Sequence, residues 1–118
     1  MTPARNIDNT LTGQIITLVC DAWDIDRPAL VSKSRKRPLP WARSQLCNYL
    51  RLYAGHDTIS CAALLNRKDE SITTYGSQYT YNIRTYRPFA DKDEHIKAEI
   101  KKLLNKQPAK NGAKRTEG

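Results

Sequence analysis

The sequence predicts an all-α bundle of about five to six helices containing a helix-turn-helix, and three observations predict it. Apolar residues recur at helical spacing along most of the chain, and no segment alternates convincingly with period two. Residues that start and stop helices, such as Asp26 before Arg27-Pro28, Gly55 and Asp57, fall between the periodic stretches. The third observation is that two of these stretches are joined by only three polar residues.

Taken in order, Ile15, Ile16, Val19, Cys20 and Trp23 form one apolar stripe of a helix over about 12–23. Asp26, followed by Arg27 and Pro28, reads as the cap and first turn of a short helix reaching about Ser32, because proline is tolerated where the first amides lack partners. Residues 34–39 have no apolar period and read as a loop. From Pro40 a third helix is expected to reach about Ala54, burying Trp41, Leu46, Cys47, Leu50, Tyr53 and Ala54, with Gly55 as a left-handed stop. Asp57 then caps a helix of about eight residues through Ile59, Ala62, Ala63 and Leu65. Asp69 is expected to cap the next helix, in which Ile72, Gly76, Tyr79, Ile83 and Tyr86 follow 4-3-4-3 spacing and small Gly76 allows close approach of a neighbour. Ile96, Ile100, Leu103 and Leu104 mark a closing helix over about 93–105.

At 118 residues the length fits one domain. We expect residues 1–9 to fray, 10–105 to form the domain and 106–118, with Lys106, Lys110, Lys114 and Arg115, to be a disordered basic tail. No apolar run approaches the length of a membrane span and the first residues lack a signal-peptide core, so a cytoplasmic, nucleoid-associated chain is expected. Cys20, Cys47 and Cys61 show no Cys-x-x-Cys spacing and read as reduced core residues. His56 and His95 have no cysteine or acid at ligand spacing, which argues against a metal site. No cofactor is indicated, and a catalytic cysteine would need a histidine and an orienting partner beside it.

The net charge of +8 is unevenly placed. Residues 31–56 hold Lys33, Arg35, Lys36, Arg37, Arg43 and Arg51 without one carboxylate, a segment charge of +6, whereas residues 1–30 sum to −2. A block of this kind needs an anionic partner. It precedes the helix pair whose second member opens with Arg67, Lys68, Asp69, Glu70, Ser71 and Ile72. In a helix-turn-helix that end enters the major groove, where acids accept from the cytosine amine and an apolar side chain such as Ile72 touches a thymine methyl. The loop cations then meet phosphates or the minor groove. The solvated-face reading of the basic block is the weaker one. Tyr75, Tyr79 and Tyr86 fall near helical spacing and read as core, not as a stacking platform for single strands.

The stretches Val31-Ser-Lys-Ser-Arg-Lys-Arg37, Ala42-Arg-Ser-Gln-Leu-Cys-Asn-Tyr-Leu50 and Leu64-Leu-Asn-Arg-Lys-Asp-Glu-Ser-Ile72 resemble the C-terminal DNA-binding domain of the bacterial replication initiator DnaA. The likeness runs in order, without apparent gaps, over about residues 15–104. It implies a Trp-repressor-like helix-turn-helix in which a basic loop, here with Ser32, enters the minor groove and the second motif helix reads a short asymmetric box. On this resemblance Arg35 matches the minor-groove arginine, Arg43 and Arg51 match backbone contacts, and Thr58 and Ile59 match contacts at the start of the first motif helix. Lys68 and Asp69 stand where the family has its Arg-Asp pair. Glu70 and Ile72 depart from the family's histidine and threonine, and Ala62 and Asn66 replace two glycines. No Gly-x-x-x-x-Gly-Lys-Thr/Ser loop is present, so no nucleotide binding is implied. The expected partner is double-stranded DNA. The alternative is a protein-interaction module of a replication or mobile-element complex that uses Glu70 and Ile72.

Overall fold

A computed structural model describes residues 7–106. These residues form six helices and no strand: α1 (Asn9–Trp23), α2 (Arg27–Leu30), α3 (Leu39–Tyr53), α4 (Thr58–Leu65), α5 (Asp69–Thr85) and α6 (Arg87–Lys106). The expected tail beyond Lys106, and residues 1–6, lie outside the described residues.

Local chemistry accounts for most boundaries. The Asp8 carboxylate accepts from the Leu11 amide at 2.9 Å, so α1 starts three residues before the expected position and Asn9 is already helical rather than frayed. Asp24 stops α1 in the left-handed region at φ 56°. Asp26 caps α2 through the Ala29 amide at 2.9 Å, and α2 ends at Leu30, slightly earlier than expected. Gly55 after α3 has φ 82°, the conformation expected of it. Asp57 and Ser60 form a capping box at the start of α4, and Asn66 ends that helix at φ 56°. The reading of Asp69 as a cap is corrected: Lys68 occupies the cap position without a side-chain bond, and Asp69 is the first helical residue.

A further correction concerns the last two helices. The 4-3-4-3 pattern ran through Tyr86, but Tyr86 is extended (φ −131°, ψ 101°) and α6 begins at Arg87, six residues before the expected start. Pro88 is the reason, since it fits the first turn of a new helix and not the interior of an old one.

Helix α3 is the centre, packing against all five others. The predicted stripe of α1 is wholly buried, and Leu46, Cys47, Leu50, Leu65, Ile72, Phe89, Ile96 and Ile100 complete the core. All three thiols are free and buried. Gly76 does not serve close helix packing as expected. A Cβ there would meet nothing nearer than the Arg51 guanidinium at 3.9 Å.

Polar ties cross the core. The Gln45 amide accepts from Trp23 Nε1 (2.7 Å) and donates to the Phe89 carbonyl (3.0 Å), joining α1, α3 and α6. Asp93 Oδ1 accepts from both the Tyr49 phenol (2.6 Å) and the Tyr79 phenol (2.7 Å), joining α3, α5 and α6.

His56 ties α1 to α4. Thr12 Oγ1 donates to the Asp8 carbonyl and so accepts from His56 Nε2 at 2.9 Å, while Nδ1 stands 2.9 Å from Ser60 Oγ, a hydroxyl that also reaches the Asp57 carbonyl at 3.2 Å. Burial holds the His56 pKa below its ordinary value, against a smaller opposing effect of Asp57. The unfolded chain therefore binds this proton more readily than the folded one. The His56 contribution to stability is complete above the ordinary histidine pKa of about 6.5 and declines as pH falls through it. Urea midpoints measured from pH 8 to pH 5 should fall on acidification in the native chain and less steeply in His56→Gln. Equal slopes would refute this account of the ring.

Candidate nucleic-acid interface

The loop between α2 and α3 is held from below by one buried side chain. Arg43, on the second turn of α3, donates from Nε to the Leu30 carbonyl (2.8 Å) and from Nη1 to that of Ser34 (2.7 Å). Its Nη2 donates to the carbonyls of Ala29 (3.2 Å) and Ser32 (2.9 Å). The last carbonyls of a helix have no partners within it, and here the guanidinium fork supplies them for α2 and for the loop that follows. Arg43 is only 1% exposed. Burial, then the Arg67 charge, lower its pKa, the Tyr75 phenol raises it by hydrogen bonding, and Arg35 lowers it further. A guanidinium stays protonated under such pressure.

Arg67, in the turn between α4 and α5, donates from Nη2 to the same Ser32 carbonyl at 2.7 Å, and its Nε is buried without a hydrogen-bond partner. The turn of the helix pair is thereby fastened to the basic loop across 35 positions of sequence. Within the loop, Ser32 Oγ donates to the Ala29 carbonyl, Ser34 Oγ accepts from the Lys36 amide, and the Arg37 guanidinium lies 5.3 Å above the Trp41 ring.

These ties leave a cleft of about 330 Å³ between loop and helix pair, lined by Arg35, Pro40, Arg43, Arg67, Glu70, Ser71, Thr74, Tyr75 and Gln78. The loop and the start of α5, far apart in sequence, thus share one concave surface. Lys33, Arg35, Lys36 and Arg37 are exposed, as are Lys68, Asp69 and Glu70. The two ion pairs between described residues, Asp93–Lys97 and Glu99–Lys102, both lie within α6. No described carboxylate approaches the loop cations to ion-pair distance, so their field is directed outward.

Two of the expected contact residues are corrected. Arg43 is not a surface contact but the buried clamp of the loop. Ile72 is 0% exposed and packs in the core, so it cannot touch a thymine methyl in this fold. Arg51 is exposed on the outer side of α3, its tip against α5 at Gly76, and does not line the cleft. Thr58 and Ile59 begin α4, about 12 Å along that helix from the turn. Thr58 is half-buried, whereas Ile59 is 68% exposed. Sequence reasoning missed Thr74 and Gln78 as lining residues. Their positions one and two turns beyond Glu70 were the available signal.

Among the described residues, no cluster of three or more His, Cys, Asp or Glu side chains could hold a metal ion, and no helix is long and apolar enough to cross a membrane. Comparison of the chain with protein-family models, with curated proteins and with solved structures finds no match.

Proposed function

We propose that this chain binds double-stranded DNA without chemistry, using α4 and α5 as a helix-turn-helix and the loop at 32–37 as its phosphate and minor-groove anchor. One observation carries the reading. Arg35 of the exposed basic loop and the amino-terminal half of α5 line the same cleft, and Arg43 and Arg67 fasten loop and helix pair together through the Ser32 carbonyl. A duplex lying there would meet Lys33, Arg35, Lys36 and Arg37 along its backbone and Asp69, Glu70 and Ser71 in its major groove. The likeness of residues 31–72 to the DnaA DNA-binding domain supports the same arrangement, and a replication or mobile-element role in the nucleoid is its natural setting. Glu70 in place of the family's histidine gives this chain a different preferred sequence.

The test is the salt dependence of duplex binding. Four loop cations and Lys68 meet about five phosphates, so the logarithm of affinity should fall with the logarithm of salt with a slope of roughly −4 to −5. Arg35→Ala with Arg37→Ala should weaken binding to all duplexes alike and flatten that slope. Binding indifferent to salt would reject the reading.

The interaction-module alternative rests on a different surface from the one first expected. Ile72 is buried and unavailable, whereas Leu52 and Ile59, 60% and 68% exposed near the α3–α4 junction, offer apolar area to a protein partner. Salt-insensitive capture of a protein, with no duplex retained, would favour that alternative.

A further inference from the structure

We infer that sequence is read by a row of α5 residues, Glu70, Thr74 and Gln78, and not by the helix tip alone. This rests on the DNA-binding reading above and names the residues that give it specificity.

The three residues stand four apart, so they form one row along the helix. All three are exposed and all three line the cleft opposite Arg35. The neighbouring exposed row, Thr73, Ser77 and Thr80, does not line it. From Ser71 to Ile83 the helix carries no charged side chain. Solvent-facing helix positions are ordinarily best served by Lys, Glu, Gln or Ala, and threonine and serine cost helix stability there. Thr74 is the member of the row that departs from this preference, and what sets the whole row apart from its neighbour is its place along the cleft beside Arg35.

Each member of the row offers a distinct contact. Glu70 has no hydrogen bond or ion pair from its side chain among the described residues, although Arg35 and Arg67 border the same cleft. Its carboxylate is free to accept from an exocyclic amine, as a cytosine presents in the major groove. The Thr74 hydroxyl is spent on the Glu70 carbonyl at 3.1 Å, which leaves its methyl group to meet the thymine methyl. Gln78 has both a donor and an acceptor, the pair that matches adenine N7 and N6. Eight residues of helix span about 12 Å, which corresponds to roughly three to four base steps. The row therefore reads a run of that length, with α5 lying along the groove.

The experiment is selection from a random duplex library at physiological salt with the full chain and three variants. The native chain should enrich a motif. Gln78→Ala should enrich the same motif with one position relaxed, discrimination there falling about five- to 150-fold. Glu70→Gln should change a second position, three to four base pairs from the first, and Ser77→Ala should leave the motif intact. Alanine raises helix propensity at an exposed site, so the variants at 77 and 78 keep the fold. A motif unchanged in Gln78→Ala, or altered by Ser77→Ala instead, overturns the row. A duplex bound without enrichment overturns base reading while leaving DNA binding in place. A chain that retains no duplex overturns both.

Discussion

Arg43→Ala is expected to lower the unfolding free energy by about 3 kcal/mol or more, and to weaken duplex binding although Arg43 touches no duplex in the arrangement proposed. Four backbone carbonyls lose the Arg43 donor at once: those of Leu30 and Ser34 are left without a replacement, whereas Ser32 keeps Arg67 and Ala29 keeps the Ser32 amide and hydroxyl. Hydrogen bonds to charged groups are each worth about 1.5–3 kcal/mol, and acceptors left dry add their own penalty. Water entering the vacated space offsets part of that, which is why the expected loss is less than the sum. For a domain of this size the melting temperature should fall by roughly 10 °C or more. Lysine is a poor replacement, because an ammonium cannot aim donors at four carbonyls as the guanidinium fork does. With its clamp gone, the loop samples many shapes, and the ordering cost then falls on binding. A direct phosphate contact would behave differently: its removal would take about one unit from the salt slope and leave the melting temperature nearly unchanged.

Asp93→Ala should have a loss of similar size by a different route. The carboxylate is 5% exposed and accepts both the Tyr49 and Tyr79 phenols at one oxygen, while its other oxygen faces Lys97 at 3.5 Å. Alanine leaves the wholly buried Tyr49 hydroxyl without its acceptor and opens space where α3, α5 and α6 meet. Leaving one buried hydroxyl and one half-buried one unpaired, together with the lost charge assistance, costs about 3 kcal/mol. Asparagine keeps an acceptor for both phenols and should cost less than half as much. Denaturant unfolding of the two variants checks the ordering, and equal losses would mean that packing, not hydrogen bonding, is the source. Burial first, and then the bond to Asp93, push both phenol pKa values far up. The folded chain thus keeps these protons when the unfolded chain would release them. Their contribution is complete below the ordinary tyrosine pKa of about 10 and is lost as pH rises above it.

The helices were legible because each is marked twice, by an apolar period and by residues that start or stop it. The stripe from Ile15 to Trp23, the Asp26 and Asp57 caps and Gly55 all behave in the structure as their chemistry predicts. Where one mark was weighed without the other, the boundary slipped: the spacing through Tyr86 outweighed Pro88 and delayed α6. Ile72 shows the same conflict at the site. Its position at a helix tip suggested a base contact, but its register with Tyr75 and Tyr79 belongs to the core, and burial prevailed. Arg43 was illegible for a different reason. On α3 alone it falls among polar positions, and only the return of α2 and the loop over that face surrounds it with carbonyls in need of donors. Such a demand arises from tertiary structure and leaves no trace in local sequence. Thr74 and Gln78 went unnoticed because uncharged polar residues carry no periodic signal of their own.

The central claim is that the basic loop and α5 form one DNA-facing surface. Backbone amide shifts of the full chain, followed by NMR as a duplex is added, test it most directly. The account predicts that the changes concentrate at residues 32–37 and 67–78, with the exposed faces of α1 and α6 little affected. A bound duplex that instead perturbs α1 or α6, and leaves the loop and α5 unchanged, would contradict it.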